Sequence, residues 1–324
     1  MNTGSVAQRL ADTPGVARTI LDAARAARGM AGADPRAMSH SWLFTGPPGS
    51  GRSLAALDFA AALMCTDPEE PGCGRCEACQ AVLGAKQHTD LVLVDPQEVI
   101  IPVDTVREVI GRAASLPTVA PWRVVIFNNA DRLTNNGANA LLKTVEEPPA
   151  RTVIIMCAPS DAPEDFSQTL RSRCRHLYIP SPSVESITAQ LVSEGASDHD
   201  AHLAALTSLR HVGRARRLVN DPAVQKRRAV AINLAEEVFH GSQGFQAVTS
   251  LLKLVDSEAK ESHKEQEEAE LAKLEQTLGV GAKGKGAAKA QRDARSAIKD
   301  LQEQHKKRAK RRVIDNLDLV LVDL

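Results

Sequence analysis

Five short blocks of consecutive apolar residues recur along the first half of the chain, at 42–45, 91–94, 124–127, 152–157 and 176–179. Runs this short, without polar alternation, are the pattern of strands covered on both faces. Between them, 54–64, 103–116 and 133–145 carry apolar residues three and four positions apart, as helices buried by one face do. Strands alternating with helices predict an α/β domain over 1–180, built on a parallel five-stranded sheet with flanking helices. Pro180 and Pro182 then break the pattern, and 181–222 reads as a small all-helical unit.

Only helical periodicity continues over 223–324. Within it, 256–312 is dominated by Lys, Glu, Gln and Ala around a glycine cluster at 279–286, which reads as a flexible turn between two charged helices. Solvated helix faces account for most of that charge, with 306–312 as a candidate basic contact surface. The last ten residues, 315–324, carry an apolar face for which the sequence offers no partner, so missing sequence or burial in an oligomer is expected.

Composition narrows the class. Of 324 residues, 43% are hydrophobic and 25% charged, which excludes disorder of the whole, while aromatics at 3% leave aliphatic and alanine side chains to fill the core. Forty basic residues balance forty acidic ones, so any contact with nucleic acid must be local. No stretch of about 20 apolar residues and no secretory signal is present, which favours a cytoplasmic protein with no membrane partner. Six cysteines in that reducing compartment are not expected to form disulfides.

Two motifs carry chemistry. Gly46, Gly49, Gly51, Arg52 and Ser53 follow the first strand and open a helix, with the spacing of a phosphate-binding loop. Glycines admit phosphate oxygens to backbone amides, and Ser53 is placed to reach magnesium. Arg52, however, stands where that loop carries lysine, and a planar guanidinium does not fit between phosphates as a compact ammonium does. Strand 124–127 ends in Asn128 and Asn129 instead of the Asp–Glu pair that holds magnesium and activates water. Two amides supply neither charge nor base, so hydrolysis is not expected, though binding without hydrolysis stays open. Cys65, Cys73, Cys76 and Cys79 form a C-x7-C-x2-C-x2-C knuckle over 65–79, suited to structural Zn2+ in a closed four-thiolate shell, with an iron–sulfur or redox role as the minor alternative. Cys157 and Cys174 read as small core residues.

Taken in order, HSWLFTGPPGSGRS (40–53), HTDLVLVDP (88–96), VVIFNNADRL (124–133), NALLKTVEEPP (139–149), SRC (172–174) and GRARRL (213–218) resemble the bacterial clamp-loader subunits of the AAA+ class, over about 10–220. The resemblance implies a P-loop domain with a zinc module, a helical lid at 181–222 and a collar-like region at 223–324, interrupted by the charged insertion 256–312. It implies a multi-subunit component of the DNA polymerase III holoenzyme, in the nucleoid-associated replisome, that loads a sliding clamp onto primer-template DNA. Partners would be gamma/tau motor subunits and a delta subunit. Arg173, in SRC, resembles the arginine finger that reaches a neighbour's ATP, and Arg216, in GRARRL, the lid arginine that contacts nucleotide in active relatives. The defects at Arg52, Asn128 and Asn129, and an alanine at 158 where a motor carries a polar sensor, fit a subunit that lends its arginine without hydrolysing ATP. The alternative is a working gamma/tau-like motor.

Overall fold

The computed structural model describes residues 4–96, 98–237, 242–261, 263–278 and 287–323. They divide into two compact units, one spanning Met1–Pro96 and Ile100–Val219, the other containing Asn220–Leu324.

The first unit is built on five strands, β1 (Ser41–Thr45), β2 (Leu91–Val94), β3 (Arg123–Phe127), β4 (Thr152–Ala158) and β5 (Arg175–Tyr178), in the order β2-β3-β4-β1-β5 and all parallel. The expected parallel five-stranded sheet with flanking helices is therefore present. Side chains alternate between its faces with the two-residue period of a strand. Trp42, Phe44, Val124, Ile126, Val153 and Ile155 join one core layer with Phe59 and Leu63 of the helix Arg52–Met64. Leu43, Val125, Phe127, Ile154 and Met156 join the other, with Val106, Val109 and Leu141. Three of the scarce aromatics meet in the first layer: the Trp42 and Phe59 rings stand edge to face, 5.0 Å apart.

The helix expected over 103–116 stops earlier, running Val103–Ala113. Pro117 disfavours helix in the residue before it. In addition, the buried Asp90 carboxylate draws the next turn away, accepting hydrogen bonds from the Thr118, Val119 and Ala120 amides at 2.8–2.9 Å and from Arg123 Nη2 at 2.9 Å. The helix Asn135–Glu146 begins where Thr134 Oγ1 accepts from the Gly137 amide at 3.1 Å.

In the second unit, the helices Pro222–Glu237, Ser242–Glu261 and Ala287–Asp323 share a core of Ala231, Leu234, Leu251, Val255 and Val320, with Val313 and Leu317 packed against it. Leu317 and Val320 of the apolar face over 315–324 thus have partners within the chain, which the sequence did not offer, while Leu321 and Val322 remain exposed. Those partners, at 231–255, lie too far away in sequence for local periodicity to pair them. Lys264–Thr277 and the following long helix, by contrast, are joined by charge: Arg312 pairs with Glu267 at 2.7 Å, and Arg308 and His305 both reach Glu270. The expected turn at 279–286 lies outside the described residues.

Candidate functional site

β1, between β4 and β5, delivers the chain into a loop that three glycines shape. Gly46, Gly49 and Gly51 have φ of 155°, 83° and 90°, backbone that side-chain-bearing residues rarely adopt. A Cβ on Gly46 would stand 2.1 Å from the Ile179 carbonyl oxygen, and one on Gly49 2.3 Å from His211 Cγ. The loop is therefore packed between the end of β5 and the segment carrying His211. Beside it opens a cavity of about 650 Å³, lined in part by Arg9, Ser53, Asp58, His211 and Arg216.

Every cation on that cavity already has an acceptor. Arg52 turns back on its own loop, its Nη1 donating to the Gly46 carbonyl at 2.7 Å, and burial lowers its pKa against the opposing influence of Asp131 and Asp165. Arg9 donates to Asp58 at 2.5 Å; burial pushes the Asp58 carboxyl up, and Arg9 opposes that shift. Arg216 is held by both oxygens of Glu194, each at 2.6 Å. Burial also lowers His211. The Arg9–Asp58 pair escaped the sequence reading, although Asp58 is the only carboxylate in the otherwise apolar helix Arg52–Met64.

Asn128 follows β3 directly. It is buried, its amide donates to the Val94 carbonyl at 2.9 Å, and its carboxamide oxygen has no partner among the described residues. Asn129 turns the chain with φ 52°. Ala158 closes β4 opposite Thr45, and the Pro159 carbonyl accepts from the Gly46 amide at 3.2 Å. Asp131 is drawn upward by burial, and one of its oxygens is buried without a partner.

Arg173 belongs to a separate surface of the same unit. Its Nε donates to Glu146 Oε1 at 2.5 Å and its Nη1 to the Thr169 carbonyl at 2.9 Å, with 37% of its side chain exposed. Its neighbours differ: Arg171 pairs with Asp161 at 2.9 Å, and Arg175 lies 4.9 Å over the Trp42 ring. Glu146, at the end of the NALLKTVEEPP helix, is the contact that the sequence did not single out.

The four knuckle sulfurs lie within 4.8 Å of one another, and Cys76 Sγ is 3.8 Å from Cys65 Sγ. Ligands about 2.3 Å from a central zinc stand about 3.8 Å apart in a tetrahedron, so this edge already fits. The Cys76 amide points at Cys73 Sγ and the Cys79 amide at Cys76 Sγ, both at 3.4 Å, bonds that favour thiolate. A hydrogen bond with Cys79 draws the Cys65 thiol down to about 4. Gly72 and Gly74 make the turns with φ of 76° and 72°; a Cβ on Gly74 would meet the Gly4 carbonyl at 2.0 Å. Four cysteines able to hold a metal are thus assembled. Cys157 and Cys174 are buried elsewhere, each pushed up to about 12 by burial.

The family described as "DNA polymerase III, delta subunit" matches residues 31–183. The chain is similar to DNA polymerase III subunit delta' of Pseudomonas aeruginosa, 36% identical over 49% of each chain, and to that of Escherichia coli, 35% identical over 52% of this chain and 50% of the other. It is also similar to DNA polymerase III subunit gamma/tau of Mycobacterium tuberculosis, 34% identical over 52% of this chain and 30% of that one. The match thus spans about half the length of the delta' relatives. Among the described residues no helix is long and apolar enough to cross a membrane.

Proposed function

We propose that the chain is a DNA polymerase III clamp-loader subunit of the delta' kind, a reading supported by the family match over residues 31–183 and the similarity to delta' relatives. In this reading it is a stator: it folds like an ATPase, turns over no ATP of its own, and presents Arg173 to the nucleotide of a neighbouring motor subunit. The observation that carries it is the state of the phosphate loop, where Arg52 donates to the Gly46 carbonyl beside a strand ending in Asn128 and Asn129.

The carboxylates and cations that a phosphoryl-transfer site needs are absent or engaged, although Ser53 still lines the cavity. As the γ-phosphoryl group passes from ADP to water, negative charge spreads over oxygens that magnesium and cations neutralise, while a carboxylate orients the water. Here carboxamides stand at the carboxylate positions, and the cations are held by Gly46, Asp58 and Glu194. Arg173 lies away from that cavity, and its partly exposed pair with Glu146 would let it exchange that carboxylate for a phosphate on another chain. We assign the four-cysteine cluster to structural zinc: four thiolates close the shell and leave no position for substrate. That metal would be held by Cys65, Cys73, Cys76 and Cys79 and would fix the knuckle against the N-terminal segment. The assembly would comprise gamma/tau motors and a delta subunit acting on a sliding clamp and primer-template DNA in the replisome, with 181–222 as lid and 223–324 as collar.

The competing reading is a motor, which the cavity beside the loop and the similarity to gamma/tau favour. The purified chain separates them. A stator gives no ATP turnover above background with or without DNA; turnover near one per second, the low end for such enzymes, establishes the motor instead.

A further inference from the structure

On the helix Ala287–Asp323, His305, Arg308 and Arg312 reach Glu270 and Glu267 of the neighbouring helix, while Lys307 pairs with Glu98 at 3.1 Å and Arg311 with Asp315 at 3.4 Å. Arg295, Lys299, Lys306 and Lys310 reach none of these. All four are exposed, Lys306 with 73% of its side chain free. Lys306 pairs with Glu303, one turn away on the same helix, at 3.0 Å, and Lys299 acts electrostatically on that same carboxylate from the turn before.

Their spacing of four, seven and four residues keeps them on one face. At about 100° per residue, the four fall within a sector of roughly 60° and span about 22 Å along the axis. The side that carries His305, Arg308 and Arg312 faces Lys264–Thr277; the other four are exposed, and their face runs on into the apolar contacts that begin at Val313. The helix therefore carries a straight row of four cations on a rigid rod, in a chain whose overall charge is zero.

We propose that this row, Arg295–Lys299–Lys306–Lys310, is a binding surface for the phosphate backbone of a nucleic-acid duplex. Charge complementarity selects the partner. A duplex is a stiff rod carrying about one phosphate charge per 1.7 Å of axis, so a rigid line of cations about 22 Å long can meet several phosphates without bending either body. A flexible acidic peptide would have to be ordered along the row, at a cost in entropy. The row has no aromatic side chain for stacking and no paired amide for reading base edges, so the contact is to the backbone and independent of sequence. It lies outside residues 31–183 and does not rest on the stator reading.

The test is the salt dependence of binding between the full chain and a 25-base-pair DNA duplex, followed by fluorescence anisotropy. Four phosphate contacts give a slope of log affinity against log salt of about −3.6. Replacing all four residues with glutamine, a good helix former, should weaken binding more than a hundredfold at about 0.1 M salt and flatten the slope towards zero. A charge-matched variant with Arg18, Lys86, Arg107 and Arg210 replaced by glutamine, all exposed on the other unit, should bind as the parent does. Circular dichroism checks that both variants fold. The proposal is overturned if the parent shows no salt-dependent binding, if both variants weaken alike, or if polyglutamate competes with the duplex at equal charge concentration, which would point to an acidic protein.

Discussion

Replacing Arg52 with lysine should switch nucleotide binding on and leave hydrolysis off. Arg52 Nη1 donates to the Gly46 carbonyl, which ties the guanidinium back to the loop that phosphates would have to use. A hydrogen bond from a charged donor contributes about 1.5–3 kcal/mol, and a phosphate must displace it before using the loop. A lysine relieves that competition and offers a compact ammonium. At about 1.4 kcal/mol per tenfold, the affinity for ATP should rise roughly ten- to a hundredfold. Arg52→Ala vacates the seat without a cation and should gain less. Titration with a fluorescent ATP analogue reads both variants. Turnover should stay at background in each, because Asn128 and Asn129 still provide no carboxylate. Equal affinity for the parent chain and Arg52→Lys would refute the idea that the arginine occludes the loop, and turnover by Arg52→Lys would refute the part assigned to the asparagines.

Asp90→Ala removes the acceptor for three backbone amides and leaves Arg123, only 7% exposed, buried without its carboxylate, so denaturant unfolding should show a loss of about 3–5 kcal/mol. Burial works to raise the Asp90 pKa, but its hydrogen bonds from Ala120, Val119, Thr118 and Arg123 prevail and hold it below the ordinary range. Its contribution is therefore complete above about pH 4 and lost as pH falls through the folded value; melting curves from pH 2.5 to 7 should show an acid limb that Asp90→Ala flattens. Elemental analysis should find one zinc per chain, lost with Cys76→Ser, and chelation should lower the melting temperature; a metal-free chain with unchanged melting would reject the zinc assignment. In the reconstituted complex, Arg173→Ala should cut the partner's ATPase about a thousandfold. Glu146→Gln should change it less than about fivefold, since that pair is exposed on both sides and contributes at most about 1 kcal/mol; equal losses would make the pair a structural bridge.

The sheet was legible because β1 to β4 are short, mainly apolar runs whose two faces are both covered, so burial imposes the pattern directly, whereas β5, at the sheet edge, is only partly covered. β1 and β3 each begin one residue before the predicted run, at Ser41 and Arg123, polar residues that tertiary partners bury: Ser41 donates to the Val145 carbonyl, Arg123 to Asp90. The knuckle was legible because its ligands lie within 15 residues of one another. What stayed hidden is pairing at long range. Arg9 with Asp58, Arg173 with Glu146 and Arg216 with Glu194 join residues 22 to 49 positions apart, and nothing periodic links them. The paired basic side of the final helix was hidden for the same reason, since Glu267 and Glu270 become its neighbours only when the two helices lie side by side.

The arginines differ in what each must surrender to serve a phosphate. Arg216 would lose two hydrogen bonds to Glu194, whose carboxylate it holds below its ordinary pKa. Arg9 would leave Asp58, 2% exposed, as an uncompensated carboxylate in the core, the costliest way to break an ion pair. Arg52 would have to reverse out of its own loop. Arg173 holds an exposed carboxylate together with the Thr169 carbonyl and the Ser172 hydroxyl, all of which water can solvate in its place, so in the proposed role little would be lost if a phosphate on another chain replaced Glu146. A cavity whose cations are internally satisfied, combined with one loosely held cation on a different surface, is the charge arrangement that a subunit needs if it is to act on its neighbour's nucleotide and leave its own site idle.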